Sequence, residues 1–589
     1  MDIEIEARTL PAFSIHESVW NCPSPLRYAG GVSLNLTAGG MPSMENNTRG
    51  FTRRQFVQAG SAAWMMLQTG RSFGVQNLDE SAGLVVGQPQ GAEAAAGILA
   101  EGGNAVDAVV AAALVAGVVA VPMCGIGGYG GHMVIGWPDG RATSIDFNST
   151  APAAARQDMF ALDEHGRVRG GVNHHGWLAA GVPGTLAGLE LALDRFGTRP
   201  LSRVIEPAIR FARGGFVVNA GLTRAIQGAA KQFERDPGSA KLFFADGKPL
   251  AEGATFRNPD LATMLERLAA DNSVADFYRG QIARQIAIEF RKQGGLVTEQ
   301  DLAAYEAREV APISLTWRGA TMHTAPLTAG GLSTLQALAT LKSLEWETLD
   351  PADPKTTHAR VEALRLAWHD RLTLLGDPDA TEIPTDRLVS AEYAERSADR
   401  VREAVRQQRL IPAPTDGRTA GGTIHLSAAD RSGKMAAVTL THGDGFGAQV
   451  TVDGLGLILG HGMSRFEPKP GHPNSVRPGR RPLDNMCPTL VFRDGQPVVA
   501  LGGTGGRRIP NTLYDVLVGM VGRGQSLASA AAAPRMHTEG GEKLELAKGW
   551  SEPEADYLKQ VGYTVGPGNG ANLNGIERDP QTGKLIKVS

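Results

Sequence analysis

The sequence predicts a layered α+β fold, and three observations support this. Apolar segments of helical length occupy the first two thirds of the chain, beginning at about residue 88. From Thr423 onward the pattern changes to short alternating strands separated by glycine turns. Helical segments and antiparallel strand pairs in one chain are typical of helix layers packed on sheets. At 589 residues the chain is long enough for two to four domains, or for one large layered unit.

The first predicted elements are two consecutive helices. Residues 88–102 predict a helix that ends at Gly102 and Gly103, and a second helix begins at about Asn104. The longest apolar run, VVAAALVAGVVAV, lies within this second helix and has 13 residues. A membrane span needs about 20 apolar residues, so this run predicts a buried helix. Later segments predict a strand at HMVIGW, helices within 185–235 and 259–293, a strand near PISLTW, and helices at 355–375 and 510–522.

A glycine motif between the second helix and the HMVIGW strand has the spacing of a dinucleotide-binding loop. Gly125, Gly127 and Gly130 match the pattern G-x-G-x-x-G. That loop requires a strand before it and a helix after it, because the pyrophosphate binds at the helix N-terminus. Here the order is reversed, so the sequence does not predict a nucleotide site.

Charge and cysteine content exclude several classes of function. The net charge is −3, from 58 basic and 61 acidic residues, so there is no positive field to attract nucleic acid. Cys22, Cys124 and Cys487 are too few and too dispersed for a disulfide framework or a zinc site. The sequence indicates neither a metal nor another cofactor.

The N-terminal region predicts export. Arg53 and Arg54, followed by Phe56 and a weakly apolar stretch, are typical of a twin-arginine signal over residues 51–78. Residues 1–50 are too long for the basic head of such a signal, so we interpret them as disordered or untranslated, with Met41 or Met44 as the start. The mature protein is then expected in the periplasm or outside the cell.

Thr423 marks an abrupt change in pattern. The preceding EAVRQQRLIPAPTDGRTAGG predicts an exposed loop, whereas residues 423–430 alternate between apolar and polar residues, as a half-buried strand does. Residues 431–433 form a three-residue turn to a second strand from Lys434. A turn centred on Ser432 places Thr441 opposite Thr423, and a bulge would shift this register by one residue.

A chain cut between Gly422 and Thr423 would leave Thr423 with a free α-amine. The pKa of an α-amine is near 8, so it can act as a base for the hydroxyl of the same residue. Amide cleavage also needs backbone N–H donors for the oxyanion. The segment ALGGTGGRRI offers such donors, because a predicted strand leads directly into its glycines.

The chain resembles the γ-glutamyltranspeptidase family of N-terminal nucleophile hydrolases, from residue 83 to about 575. The matching segments occur in family order and at family-like spacing: EGGNAVDAVVAAAL, GGYGGHMVIG, IDFNSTAPAAA, GVPGTLAG, GLVTEQDLAAYEA, LGDPD, GTIHLSAAD, PGRRPLDNMCPTLV and GGTGGRRI.

The resemblance implies a four-layer αββα sandwich that cuts itself into a large subunit (79–422) and a small subunit (423–589). It implies a cleavage site at Gly422 and Thr423, with Thr423 as the nucleophile. Thr441 is implied as the supporting threonine, and Gly505 and Gly506 as the oxyanion glycines.

The implied substrate-binding residues depart from the family pattern. Asn148 stands where the family has the arginine that holds the α-carboxylate of a glutamyl donor. Arg465 replaces the acidic residue that holds the α-amine, and Asp484 with Asn485 replace a serine pair. Gly443 replaces an asparagine. Since a buried charge needs a partner, these exchanges alter what the site can bind.

Three hypotheses for function follow. The first is an amidohydrolase or acyltransferase that cleaves γ-glutamyl or related acyl amides or peptides, transferring the acyl group to water or to an amino acid or peptide. The stretch between Arg465 and Asp484 is shorter than in members with a lid, which favours water. In the second, Arg465 selects a glutaryl-type donor, as in cephalosporin acylases, or an oxo-acid amide. The third, of another class, is a non-catalytic exported scaffold.

Several other polar residues are predicted to be structural. His425 lies on the same strand face as Thr423, and His442 points the opposite way from Thr441. His174 and His175 lack a partner at metal-ligand spacing. Two roles are equally favoured for Arg507 and Arg508: they are solvated surface charges, or they line the pocket that binds the acyl group.

Overall fold

Two six-stranded antiparallel sheets organise the protein. The computed structural model describes residues 82–379, 383–412, 422–579 and 581–589. All of these residues belong to one compact unit. In chain order, the strands of the two sheets are β1 (Gly83–Val86), β2 (Gly130–Gly136), β3 (Ala142–Asp146), β4 (Arg308–Val310), β5 (Ile313–Trp317), β6 (Ala320–Thr324), β7 (Gly422–Asp430), β8 (Met435–Gly443), β9 (Thr489–Arg493), β10 (Gln496–Thr504), β11 (Asn572–Arg578) and β12 (Leu585–Val588).

The helices surround these sheets. They are α1 (Pro89–Ala100), α2 (Ala105–Val119), α3 (Thr185–Phe196), α4 (Leu201–Val204), α5 (Glu206–Gly214), α6 (Ala220–Phe233), α7 (Pro237–Phe243), α8 (Pro259–Asp271), α9 (Ala275–Arg279), α10 (Gln281–Lys292), α11 (Glu299–Ala303), α12 (Gly331–Ser343), α13 (Pro354–Leu374), α14 (Thr385–Leu388), α15 (Ala391–Gln407), α16 (Arg508–Leu517), α17 (Leu527–Ala532) and α18 (Glu552–Val561). A π-helical turn, Val518–Gly522, continues α16. Short 3₁₀ turns occur at Arg169–Gly171, Trp177–Ala179, Trp346–Thr348 and Gly462–Arg465.

Four smaller sheets accompany the two six-stranded sheets among the described residues. Two-stranded pairs are formed by Phe216–Val217 with Thr255–Phe256, by Phe244–Ala245 with Lys248–Pro249, and by Thr451–Val452 with Leu457–Ile458. A three-stranded sheet contains Met536–His537, Lys543–Leu546 and Thr564–Pro567.

The layers follow from the alternation of side chains along the central strands. The first sheet has the order β1-β7-β8-β2-β3-β4 and the second β12-β11-β10-β9-β6-β5. On β7, Ile424, Leu426 and Ala428 pack with helix α2 in one core, because successive side chains of a strand point to opposite faces. Ala429, on the other face, packs with Ala500 of β10 in a core between the sheets. The outer face of the second sheet packs against α12, α13 and α16, which completes the predicted αββα sandwich.

Helix α2 begins where the sequence predicted, and its N-terminus explains why. The side chain of Asn104 accepts hydrogen bonds from the backbone of Val106 and Asp107, and the Asp107 carboxylate accepts from the backbone of Asn104. This reciprocal capping box satisfies N–H groups that have no partner within the helix. Every residue of the helix is buried, so the apolar run is the buried helix that the sequence predicted.

The order of elements around the glycine motif also agrees with the prediction. Helix α2 precedes Gly125, Gly127 and Gly130, and strand β2 follows them. The helix N-terminus that a dinucleotide needs is therefore not at this loop.

The predicted loop before Thr423 is wrong over residues 403–407, which form the last turns of helix α15. The buried positions of this helix are small residues, Ala394, Ala398, Val401 and Ala404, set among arginines and glutamates. The prolines and glycines that predicted the loop all lie at Pro412 or beyond, so they do not bear on residues 403–407. The helix ends at Gln408, whose φ of 49° is left-handed.

The predicted extension (1–50) and export signal (51–78) lie outside the described residues, so export stays a prediction. Within the described chain, no helix is both long enough and apolar enough to cross a bilayer.

Candidate active site

Thr423, at the beginning of strand β7, lies beside Thr441, near the end of strand β8. Their hydroxyl oxygens are 3.5 Å apart, and both residues are almost completely buried. The Thr441 hydroxyl donates a short hydrogen bond to the carbonyl oxygen of Gly422, the residue before Thr423. It accepts a hydrogen bond of 2.7 Å from the backbone N–H of Gly443. The uncut chain therefore presents its Gly422–Thr423 peptide to two hydroxyl groups.

The strand register around Thr423 contains the bulge that the sequence left open. From Ile424 to Ala429 the hairpin pairs about Ser432 as predicted. The register then shifts by one, so that Gly422 pairs with Gly443. Thr441 and His442 together therefore stand opposite Thr423. Bulges of this kind re-aim side chains and are frequent beside active sites.

The inner face of the first sheet turns polar as it approaches Thr423. His425 is completely buried, and its ring nitrogens bond Thr439 Oγ1 at 2.8 Å and Ser427 Oγ at 2.9 Å. Burial lowers the pKa of His425 to about 3, so the imidazole is neutral. The ring packs directly on Gly502 of β10, where a side chain would overlap it. His425 thus supports the strand, as the sequence indicated, and brings the second sheet close to it.

Gly505 and Gly506 lie directly after strand β10. Both have positive φ angles, +146° and +59°. Among the described residues, none accepts a hydrogen bond from the backbone N–H of either glycine. Arg507 and Arg508 follow and form ion pairs with Glu539 at 2.6 Å and Glu545 at 2.5 Å. The two arginines are therefore ion-paired rather than freely solvated, and their lining of an acyl pocket stays a prediction.

Asn148 and Asp484 belong to a buried polar network. Asn148 Nδ2 lies 2.6 Å from Thr328 Oγ1, 2.7 Å from the Pro482 carbonyl oxygen and 3.1 Å from Asp484 Oδ2. The same carboxylate oxygen is 2.8 Å from His132 Nε2. Burial alone would lower the pKa of His132, but the charge and hydrogen bond of Asp484 raise it above its usual value. The network fixes Asn148 and Asp484 through protein partners.

Asn485 is half-buried on the other side of this segment. Its side-chain oxygen lies 3.4 Å from Arg371 Nη2, and Arg371 also donates a short bond to the Asp484 carbonyl oxygen. The substrate-binding roles of Asn148, Asp484 and Asn485 stay predictions.

Arg465 lies beside the turn that follows Thr441. Its Nη2 is 3.5 Å from Asp444 Oδ1, its side chain is 14% exposed, and the Tyr129 hydroxyl lies near it. The Nε–H of Arg465 is buried and has no acceptor within the described part of the chain.

Asp444, the ion-pair partner of Arg465, is more accessible, with its side chain 30% exposed. Burial alone would raise the pKa of Asp444, but His174, His461 and Arg465 hold it well below its usual range. An anionic and a cationic group therefore stand together close to the two threonines.

His461 fills the space under Gly443. A side chain on Gly443 would overlap its ring, and the φ of Gly443 is +105°. His461 Nε2 accepts a hydrogen bond of 2.7 Å from the backbone N–H of Asp444, and Nδ1 lies 3.0 Å from the His174 carbonyl oxygen. Gly443 was noticed in the sequence only as a missing asparagine; the structure shows what occupies its place.

His174, Asp444 and His461 also have the composition of a metal site, with ligand atoms within 4.8 Å of one another. Two features disfavour a cation there. Arg465 Nη2 lies 3.4 Å from His461 Nε2, and the lone pair of that nitrogen already accepts the Asp444 N–H. The cluster is better described as a hydrogen-bonded charge pair.

Sequence reasoning missed His132, Tyr129, Asp444 and His461 as members of this site. His461 lies 20 residues after Thr441, and Tyr129 and His132 come from a different strand region. The pairing of β2 with β8, which sets Gly130 opposite Thr441, brings the latter two close. No local pattern in the sequence indicates that pairing.

The αββα sandwich and the threonine at the start of a central strand define the class of N-terminal nucleophile hydrolases. Residues 91–589 match the family described as gamma-glutamyltranspeptidase. The chain belongs to the γ-glutamyltranspeptidase family.

Individual relatives are enzymes of two kinds. The chain is 37% identical to a glutathione hydrolase proenzyme of Escherichia coli over 483 residues, 80% of this chain and 83% of that one. It is 35% identical to the acylase ACY 1 proenzyme of a Pseudomonas species over 509 residues, 85% and 90% of the two chains. The crystal structure of a cephalosporin acylase from Bacillus halodurans superposes with a TM-score of 0.77 and 26% identity, covering 86% of this chain and 94% of the other.

Proposed function

We propose that the protein is a proenzyme that cuts itself between Gly422 and Thr423 and then cleaves acyl amides through an acyl ester on Thr423. The observation that carries this proposal is the arrangement of Thr441, whose hydroxyl lies beside that of Thr423 and bonds the carbonyl group to be attacked. Names of relatives that include the word proenzyme support it.

Self-cleavage is an acyl shift from nitrogen to oxygen. The Thr423 hydroxyl oxygen adds to the Gly422 carbonyl carbon, and the Thr441 hydroxyl stabilises the negative charge that develops on the carbonyl oxygen. The C–N bond then breaks, and the hydroxyl proton goes to the departing amine. Water hydrolyses the resulting ester, which leaves Gly422 with a carboxylate and Thr423 with a free α-amine.

Turnover uses the same hydroxyl with a new base. The free α-amine, whose ordinary pKa is near 8, takes the hydroxyl proton as the oxygen attacks an amide carbonyl. The N–H groups of Gly505 and Gly506 stabilise the oxyanion, each contributing about 3 kcal/mol to lowering the barrier. The leaving amine receives the proton, and water or an amino acid then removes the acyl group from Thr423.

A second candidate for the donor is favoured by Arg465. Its buried Nε–H has no acceptor in the described chain. Its Nη2 is 3.5 Å from Asp444 Oδ1, which is a long distance for an ion pair. Glutaryl and γ-glutamyl amides both have a far-end carboxylate that would supply the missing acceptor, but only the γ-glutamyl amide has an α-ammonium group, which the cationic Arg465 would repel. The 35% identity to the acylase ACY 1 proenzyme supports an acylase activity.

Donor preference is tested with two p-nitroanilides that differ in a single amino group. Glutaryl-p-nitroanilide is expected to show a higher kcat/KM than L-γ-glutamyl-p-nitroanilide, and Arg465→Gln should reduce this preference at least tenfold. Equal or better turnover of the glutamyl compound would refute a glutaryl-type donor. Adding glycylglycine measures transfer; we expect p-nitroaniline release to change by less than twofold, because water is the preferred acceptor.

The nucleophile is tested with Thr423→Ala and Thr423→Ser. On denaturing gels the natural sequence should yield a small piece of a little over a quarter of its 62.1 kDa. Thr423→Ala should remain uncut, and Thr423→Ser should cut more slowly because it retains a hydroxyl group. Cleavage at the same place in Thr423→Ala would exclude the hydroxyl mechanism, and an uncut natural protein would favour the non-catalytic scaffold.

A further inference from the structure

His461 contacts each peptide of the turn that follows Thr441. Its backbone N–H donates to the His442 carbonyl oxygen at 2.9 Å. Its ring lies directly against Gly443. Its Nε2 accepts the Asp444 N–H at 2.7 Å. The buried side chain therefore contacts the backbone at Gly443 and Asp444, and the backbone N–H of the same residue fixes the peptide of His442.

The Gly443 peptide, at the centre of this turn, restricts the orientation of the Thr441 hydroxyl. The Gly443 N–H donates to Thr441 Oγ1 at 2.7 Å. A hydroxyl has one proton and two lone pairs, so a donor on one lone pair restricts where the proton can point. Here the proton points to the Gly422 carbonyl oxygen. Moving the Gly443 peptide would remove that restriction.

We propose that His461 is a positioning residue that, through Gly443, holds the Thr441 hydroxyl in place to stabilise the oxyanion of self-cleavage. The inference rests on the proposed self-cleavage before Thr423. His461 does not touch the reacting atoms and exchanges no proton with them. The chemical step remains the attack of Thr423 Oγ on the Gly422 carbonyl carbon, with Thr441 as hydrogen-bond donor.

The protonation state of His461 fits this role. Its Nε2 must keep a lone pair to accept the Asp444 N–H, so the ring proton lies on Nδ1 and points to the His174 carbonyl oxygen. Burial lowers the pKa of His461 to about 3, which outweighs the neighbouring Asp444 carboxylate. The required neutral tautomer is therefore present throughout the neutral pH range.

Two amide variants separate positioning from simple packing. In His461→Gln the side-chain oxygen can reach the position of Nε2 and accept the Asp444 N–H. In His461→Asn the side chain is one carbon shorter and cannot reach it. The rate of self-cleavage of freshly translated precursor, followed on denaturing gels, should fall at least tenfold in His461→Asn and stay within about threefold of the natural rate in His461→Gln. As a control, His323→Leu, a half-buried histidine on β6, should cleave at the natural rate.

A double variant makes the test independent of general destabilisation. Thr441→Ala removes the hydroxyl on which His461 acts, so adding His461→Asn to it should cause no further loss of cleavage rate.

Equal rates in the two amide variants, fast or slow, would overturn the inference, as would a further loss in the double variant. Failure of the natural precursor to cut before Thr423 would instead overturn the proposed function. The two failures are therefore distinguishable.

Discussion

At the residue scale, the site depends on the contacts of the Thr441 hydroxyl group. The Thr441 hydroxyl contacts the Gly422 carbonyl oxygen, the Thr423 hydroxyl and the Gly443 N–H. Each of these contacts is made by a backbone group or a hydroxyl group. Removing or moving one of them therefore alters the geometry in which Thr423 Oγ1 attacks the Gly422 carbonyl carbon. Gly443 is the most restricted of them, because its φ is positive and the His461 ring lies against it.

Gly443→Ala is therefore expected to abolish self-cleavage. The new Cβ would overlap the His461 ring and would require a backbone conformation that residues with a side chain rarely adopt. The rate is followed by gel electrophoresis of the precursor. Gly445→Ala, two residues further along the same turn, is the matched control, because a Cβ there meets open space. Cleavage of Gly443→Ala at the rate of Gly445→Ala would contradict this account.

The sequence predicted the threonine pair but not its surroundings. Thr423 and Thr441 are 18 residues apart, on two strands joined by a short turn, so their approach follows from local register. His461 and His132 reach the site through pairings between distant strands and through a turn that fills the space at Gly443. The positions of these two histidines depend on tertiary packing, which the alternation and spacing of residues along the chain do not predict.

At the element scale, the Asp430 side chain ties the β7–β8 hairpin to the helix layer. Asp430 accepts hydrogen bonds from the backbone N–H of Ser432 and of Lys434, at 2.9 and 3.2 Å, within the turn. Its other carboxylate oxygen accepts from the Ala105 N–H, at 2.9 Å, at the N-terminus of helix α2. The hairpin that carries Thr423 is thereby fixed to the longest buried helix of its layer.

Asp430→Ala should lower the free energy of unfolding by about 2–4 kcal/mol, because the buried Ala105 N–H and the turn N–H groups of Ser432 and Lys434 lose their acceptor. Thermal melting followed by circular dichroism measures the effect. Asp579→Ala is the control, since Asp579 accepts similar turn bonds from Gln581 and Thr582 at an exposed hairpin. An equal or larger loss in Asp579→Ala would contradict a special role for Asp430.

The hairpin was predicted closely because its signals are local. Alternation, a glycine at the third turn position and the polar turn residues all lie within 20 residues. The last turns of helix α15 were missed because the loop was predicted from prolines and glycines that all lie at Pro412 or beyond. The layered arrangement followed from the mixture of helices and strands, whereas the order of strands in each sheet depends on long-range pairing.

At the scale of the whole molecule, three buried histidines make the fold sensitive to acid. Burial lowers the pKa of each of His425, His442 and His461 to about 3. In the unfolded chain a histidine has a pKa near 6.5, so below that value the unfolded state binds more protons than the folded state. Their contribution to stability is complete above about pH 6.5 and is lost as the pH falls towards 3. His132 acts in the opposite direction, because its pKa is raised and its contribution is lost at higher pH.

The melting temperature should therefore fall steadily from pH 6.5 to pH 4. Each buried histidine contributes a slope of up to about 1.4 kcal/mol per pH unit. His442→Leu should reduce the slope, because the ring nitrogens of His442 have no partner in the described chain and a leucine fills a similar space. The same slope in His442→Leu and in the natural protein would show that His442 does not carry this acid sensitivity.

The central claim is that a newly formed amino terminus at Thr423 is the catalytic base for its own hydroxyl. Terminal sequencing of the small chain from purified, active protein tests it most directly. The account predicts a sequence beginning Thr-Ile-His-Leu, in amounts that match the active fraction. Full amidase activity in material whose chain is intact between Gly422 and Thr423 would contradict the account.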